Sequence, residues 1–197
     1  IGRFGQIVNR LVQASGFKTV VLDHDMETIA VMRRFGFKGF LGDPTRPDIL
    51  RAAGIDKAQV LCVALDDPEA AIKLVKYARS LRPDLHIIAR ARDRTYVYRL
   101  FQAGADDIVR ELFDSSLRAG RYVLENIGLS DYEAAEAERI FYQHDRETIR
   151  QLAELWDPER PVSENPAYVE RAKALQKELE TAFLSRPDEP KRKAQDG

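Results

Sequence analysis

The chain has 197 residues, 44% apolar and 9% aromatic, which suits one ordinary domain with its own core plus an appendage. Its 31 Lys and Arg against 32 Asp and Glu leave a net charge of −1, without the positive excess expected of a binder of nucleic acid or anionic membrane. A single cysteine rules out a disulfide framework within the chain and fits a reducing cytosol, and no apolar run approaches the ~20 residues of a membrane span.

The opening Ile1-Gly2 enters in the middle of an element, with no signal peptide, and reads as a fragment of something longer. Phe4, Ile7, Val8, Leu11 and Val12 recur at helical spacing up to Gly16. Thr19 to Leu22 is an apolar burst ending at Asp23, a strand expected to be buried on both faces. Asp25 caps a helix that ends near Gly36. Lys38 to Leu41 is a strand ending at Gly42-Asp43, and Thr45 is expected to cap a short helix around Ile49. Gln59 to Leu65 is the next strand, with Cys62 read as a small buried hydrophobe, and it ends in Asp66-Asp67-Pro68. A helix over Pro68 to Leu81, a strand over Leu85 to Ala89, a helix from Tyr96 to Gly104 and a strand over Ala105 to Val109 follow. Short apolar strands alternating with helices predict an α/β fold, a Rossmann-like doubly wound parallel sheet whose first strand is cut off or missing.

Beyond residue 110 the pattern turns helical. Phe113, Leu117, Gly120, Val123, Leu124 and Ile127 share one helix face, and Tyr132 to Trp156 is a long charged helix. The stretch from Asp157 through Pro158 and Pro161 to Pro166 is a linker. Ala167 to Leu184 carries a narrow stripe (Tyr168, Ala172, Leu175, Leu179, Phe183) suited to a partner helix. The expected division is a nucleotide-binding domain over 1–112, a helical dimerisation and ligand-contact appendage over 113–184, and a disordered tail over 185–197.

Gly2-Arg3-Phe4-Gly5 matches the last four positions of G-x-G-x-x-G. Gly2 would let a phosphate approach the backbone, Gly5 would let the helix pack closely on the sheet, and the N–H groups of Arg3 and Phe4 would hold an anion. A plain helix start explains half a motif about as well. Asp23, ~20 residues on at a strand end, strengthens the ligand reading, because a carboxylate there accepts from ribose hydroxyls and repels a 2′-phosphate. AMP or NAD(H) is therefore favoured over NADP, with His24 in the same loop. Asp43 would accept from an adenine amino group. Asp66 and Asp67 would approach ribose or simply cap the next helix. Arg90, Arg92 and Arg94 follow a strand end as a solvated, dimer-facing or ligand-facing patch.

Gly-Arg-Phe-Gly-Gln at 2–6, Val-Leu-Asp-His-Asp at 21–25, Arg-Phe-Gly at 34–36, Gly-Asp-Pro-Thr-Arg at 42–46, Asp-Asp-Pro at 66–68 and Ala-Arg-Ala-Arg-Asp at 89–93 stand in the order found in Kef proteins. Arg-Glu at 110–111 and Tyr-Glu-Ala at 132–134 also fit. The chain, over residues 1 to about 145, thus resembles the cytosolic regulatory domain of Kef-type glutathione-gated potassium efflux systems. The resemblance implies a homodimer on the cytoplasmic face of the inner (plasma) membrane, joined to a membrane transport region of the same chain. It implies AMP or NAD(H) as resident nucleotide, a closed state held by glutathione, opening by bulky glutathione adducts, and a flavodoxin-like ancillary partner. By the same resemblance Arg10 and Arg110 match glutathione-holding positions, suited to it because guanidinium forks grip carboxylates. Phe35 matches an aromatic that an adduct displaces. Asp145 stands where the family has Asn among its ligand contacts, an acid that would repel a ligand carboxylate or pair with the γ-glutamyl ammonium.

The rival readings are a regulatory subunit of another potassium channel or uptake system, and an NAD-dependent dehydrogenase. The three histidines, His24, His86 and His144, form no catalytic constellation, and the last third is too small and charged for a substrate domain. No catalytic residue and no metal site is expected.

Overall fold

A computed structural model describes residues 2–185. The tail expected to be disordered lies, from residue 186 on, outside the described residues. The described residues fold as two compact units, one ending at Leu112 and one beginning at Phe113.

The first unit runs α1 (Arg3–Ala14), β1 (Val21–Asp23), α2 (Met26–Arg34), β2 (Gly39–Leu41), α3 (Pro47–Ala53), β3 (Val60–Val63), α4 (Pro68–Leu81), β4 (His86–Ala91), α5 (Arg94–Ala103) and β5 (Asp107–Arg110). All strand pairs are parallel, and they form two pieces, β1-β2 and β3-β4-β5. The doubly wound order is 3-2-1-4-5-6. If the five strands take its second to sixth places, the two pieces are 3-2 and 4-5-6, and the place of strand 1 falls between them. The unit is Rossmann-like in this sense.

Its core lies around the central strand β4. Ile87 and Ala91 are fully buried, and α4 and α5 pack on the same piece with Val75, Ala78 and Leu100 equally inaccessible. β3 is covered on one face only. Val60 and Cys62, two residues apart and so on one face, are both exposed. Cys62 is therefore not the buried hydrophobe the sequence suggests; only the other face of β3, with Val63, is covered. Apolar neighbours still push its thiol pKa up.

Helix starts follow the sequence closely. Asp25 accepts from Glu27 N and Thr28 N, Asp67 from Glu69 N and Ala70 N ahead of Pro68, and Asp93 from Tyr96 N. Gly104, at φ 102°, closes α5 in the left-handed conformation that glycine allows. Thr45 departs from expectation. α3 has Arg46 at its cap position with no side-chain cap. The N–H and hydroxyl of Thr45 both donate to Asp43 Oδ1 at 2.8 Å, so Asp43 takes Thr45 into a turn ahead of the helix.

The second unit holds α6 (Phe113–Asn126), α7 (Asp131–Leu155) and α8 (Pro166–Leu184). Ser130 and Glu133 form a capping box at the start of α7. α7 packs against both other helices, so it is the partner for the narrow stripe of α8, where Tyr168 and Leu175 are buried. Asn165 joins the two: its Nδ2 donates to Leu155 O at 2.7 Å and its Oδ1 accepts from Tyr168 N. The stripe on α6 is only partly covered. Phe113 packs against the rings of Phe141 and Tyr142, but Val123 and Ile127 are exposed. No helix among the described residues is long and apolar enough to cross a membrane.

Candidate functional site

α1 begins at Gly2, whose backbone (φ −67°, ψ 179°) is extended and open to any residue. A Cβ built there meets nothing within 4 Å, so the protein's own packing does not require glycine. No side chain caps α1 and no acid stands in its first turn. The early N–H groups, including those of Arg3 and Phe4, have no partner within a helix, and the helix dipole favours an anion beside them. Gly5 is buried one turn on.

Phe4 ties this helix start to the strand ends. Its ring centroid lies 5.8 Å from the Arg90 guanidinium carbon. Arg90, only 6% exposed, donates through Nη2 to Leu65 O at 2.9 Å and to Asp66 Oδ1 at 2.6 Å. Its Nη1 donates to Glu111 Oε1 at 3.4 Å. Arg92 closes a ring, reaching Asp66 Oδ1 at 3.3 Å and Glu111 Oε2 at 4.0 Å. The carboxyl ends of β3, β4 and β5 thus carry two cations and two anions in alternation. The hydrogen bond from Arg90 holds the Asp66 carboxyl below the usual range, so it is ionised. Asp66 remains largely open to solvent on its other side.

At the carboxyl end of the β1-β2 piece, Gly42 N donates to Asp23 O at 2.9 Å, placing Asp43 beside the end of β1. Asp23 Oδ1 accepts from Asp25 N at 2.9 Å and lies 3.6 Å from Nδ1 of the exposed His24. The Thr45 N–H is the main cause of a lowered Asp43 pKa. A side chain on Gly42 would collide with Ile49, its Cβ falling 2.8 Å from Cγ2.

The sequence-predicted residues therefore fall into groups. Gly2, Arg3, Phe4 and Gly5 open α1, and Phe4 meets Asp66 through Arg90. Asp23, His24 and Asp43 share the end of the other sheet piece, and Asp67 caps α4. Arg10 is exposed on α1 with no ion pair among the described residues. Phe35 is 72% exposed at the end of α2, its ring 6.5 Å from that of Phe37. Arg110 is half-buried at the end of β5. Asp145 belongs to the second unit and is 4% exposed within α7.

Sequence reasoning missed Arg90 as the organiser of this end and Glu111 as its partner. The signal was present: a cation set between Ala89 and Ala91 inside an apolar strand must be paired when the strand is buried.

These parts suit an adenine nucleotide. Free helix N–H groups beside an open glycine fit a phosphate, and carboxylates at the parallel strand ends fit sugar hydroxyls and an amino group.

The TrkA-N domain family model matches residues 1–111, and the model for the potassium efflux system KefB C-terminal domain matches residues 115–196. The glutathione-regulated potassium-efflux system protein KefC of Cronobacter sakazakii is 46% identical over 153 residues, 78% of this chain and 25% of that protein. KefC of Escherichia coli is 42% identical over 180 residues, 91% of this chain and 28% of that protein. The chain therefore spans about a quarter of the length of these curated relatives. Among solved structures, the Kef CTD of Shewanella denitrificans in AMP-bound form is similar, with 39% identity and a TM-score of 0.73 over 80% of this chain and 96% of that one. With the first unit matched by the one family model, the helical second unit by the other, and a Kef CTD of similar fold, the chain belongs to the TrkA-N domain family, as a C-terminal domain of the Kef type.

Proposed function

We propose that this chain is a ligand-sensing regulatory domain of a potassium efflux system, working by binding and not by catalysis. The observation that carries this reading is the meeting of the α1 start with the strand-end charges, Phe4 against Arg90 and Arg90 on Asp66. The AMP-bound state of the similar Kef CTD supports AMP as the nucleotide, with NAD(H) as the alternative. Arg3 and Phe4 N–H groups take its phosphate beside Gly2 and Gly5. Asp23, with His24 in its loop, takes the ribose, Asp43 the adenine amino group, and Asp66 stands at the sugar side.

Glutathione is the second ligand, in keeping with the glutathione regulation for which the KefC relatives are named. Arg10 and Arg110 hold its carboxylates and Phe35 is the group a bulky adduct displaces. Asp145, buried as it is, acts by supporting its surroundings and not by touching the ligand. Glutathione and its adducts work by population shift: only their difference in affinity between closed and open states moves the equilibrium. The domain acts as a homodimer on the cytoplasmic face of the plasma membrane, attached to the transport region that makes up the rest of such relatives, and a flavodoxin-like protein attends it. The uncovered Tyr122 and Val123 on α6, with Ile127 just past its end, supply an apolar surface for self-association.

Calorimetry and thermal melts of the 197-residue chain test the reading. AMP and glutathione should each raise the melting temperature. A response to AMP without one to glutathione would transfer the domain to another potassium system; silence towards every nucleotide would end the sensor reading. Arg110→Ala should weaken glutathione and adduct alike by about tenfold or more, the loss of one charge-assisted contact. Phe35→Ala should leave both affinities nearly intact, since an exposed ring contributes little to the fold, and should blunt the adduct response in a potassium-efflux assay of the full-length protein. Equal gating by variant and wild type would remove Phe35 from the switch.

A further inference from the structure

We propose that Arg90 is a positioning residue that couples the nucleotide crevice to Arg110, so that AMP and glutathione tighten one another's binding. This rests on the functional reading above and adds to it a route of regulation.

One buried guanidinium touches both ends of the route. On one side it lies against the Phe4 ring at the start of α1 and holds Asp66. On the other it donates to Glu111, the residue next to Arg110. Glu111 is itself fixed to β4 through its N–H on Ala91 O at 2.9 Å, and Arg110 pairs with Ala91 in the strand register. Arg92 bridges the same two carboxylates. A planar fork fixed at Leu65 O, Asp66 and Glu111 cannot follow one partner without disturbing the others. A nucleotide that engages Phe4 N–H or Asp66 thus selects arrangements in which the ring is ordered. An anion on Arg110 selects the same arrangements from the Glu111 side, so each ligand finds the other's ordering already done.

The test is the affinity of AMP with and without saturating glutathione, and of glutathione with and without AMP, by calorimetry. Wild type should show a ratio of about fivefold or more, equal in both directions as linkage requires. Arg90→Lys keeps the charge but loses the fork; both ligands should still bind, with the ratio within about twofold of one. Glu111→Ala removes the carboxylate that Arg90 and Arg92 share beside Arg110, and should leave AMP alone within about threefold while removing the coupling. Should Arg90→Lys lose its cooperative melt, Glu111→Ala decides by itself. A general structural role would move the separate affinities and leave the ratio in place. Wild type binding both ligands independently would overturn the coupling and spare the functional reading. The same holds for a ratio that survives in folded Glu111→Ala. Wild type binding neither ligand would remove both.

Discussion

Gly2→Val should lose at least about a hundredfold in AMP affinity while changing stability by no more than about 1 kcal/mol. The physical case is a separation of two demands on one position. Glycine is required in a fold where φ is positive or where a Cβ would collide; Gly2 meets neither condition, with φ −67° and no atom within 4 Å of a built Cβ. The folded protein therefore has room for a Cβ there, and the poorer fit of valine to a helix N-cap and the stiffer unfolded chain offset one another to within about 1 kcal/mol. The ligand does not accept a branched side chain. An isopropyl group over the first turn of α1 keeps a phosphate away from the Arg3 and Phe4 N–H groups. Each hydrogen bond to a charged group is worth about 1.5–3 kcal/mol, so losing two gives the stated factor. Ligand-free melts beside AMP titrations separate the two demands. AMP affinity kept by a folded Gly2→Val variant would place the phosphate elsewhere.

The sequence made most of the first unit legible because its signals are local. An acid at a helix cap, a proline at the first helical position and a glycine at a left-handed stop each act within a few residues, and α4 begins and ends where Pro68 and Leu81 suggest. The places of the glycine pair at the start of α1 and of Asp23 at the end of β1 were legible for the same reason. Thr45 misled because two side chains compete over one turn, and Asp43 takes the hydrogen bonds that capping would have used. Cys62 misled because an apolar run gives composition and not coverage; β3 is covered on one face only. Arg90 could not be assigned because its partners are 21 and 24 residues away in sequence. Pairings at that range depend on strand order, which periodicity does not encode.

Arg79 shows the same long-range logic, and its replacement should have the largest effect on stability. From α4 its Nη1 donates to Pro83 O at 2.7 Å and Leu85 O at 2.8 Å. Its Nε and Nη2 donate to Gly104 O at 3.0 and 2.9 Å, and Nη2 also reaches Asp106 Oδ2 at 2.6 Å. That Asp106 oxygen accepts the Ile87 N–H as well. One side chain thus closes the segments entering β4 and β5, against a glycine whose Cβ would lie 2.9 Å from Arg79 Cγ. Arg79→Met keeps the stem and strands the carbonyls, at about 1–3 kcal/mol for each one left unmet. The expected loss is about 3–5 kcal/mol, a fall in melting temperature of roughly 10–20 °C for a unit of this size. Arg79→Lys should recover less than half, because one ammonium cannot span four acceptors. These contacts sit where β4 and β5 begin, whereas Asp66, Arg92 and Glu111 sit where the strands end. AMP affinity of the folded variant should therefore stay within about twofold of wild type. A melt within about 1 kcal/mol of wild type would mean that water replaces the guanidinium at these carbonyls, and that the sheet is held from the Arg90 end alone.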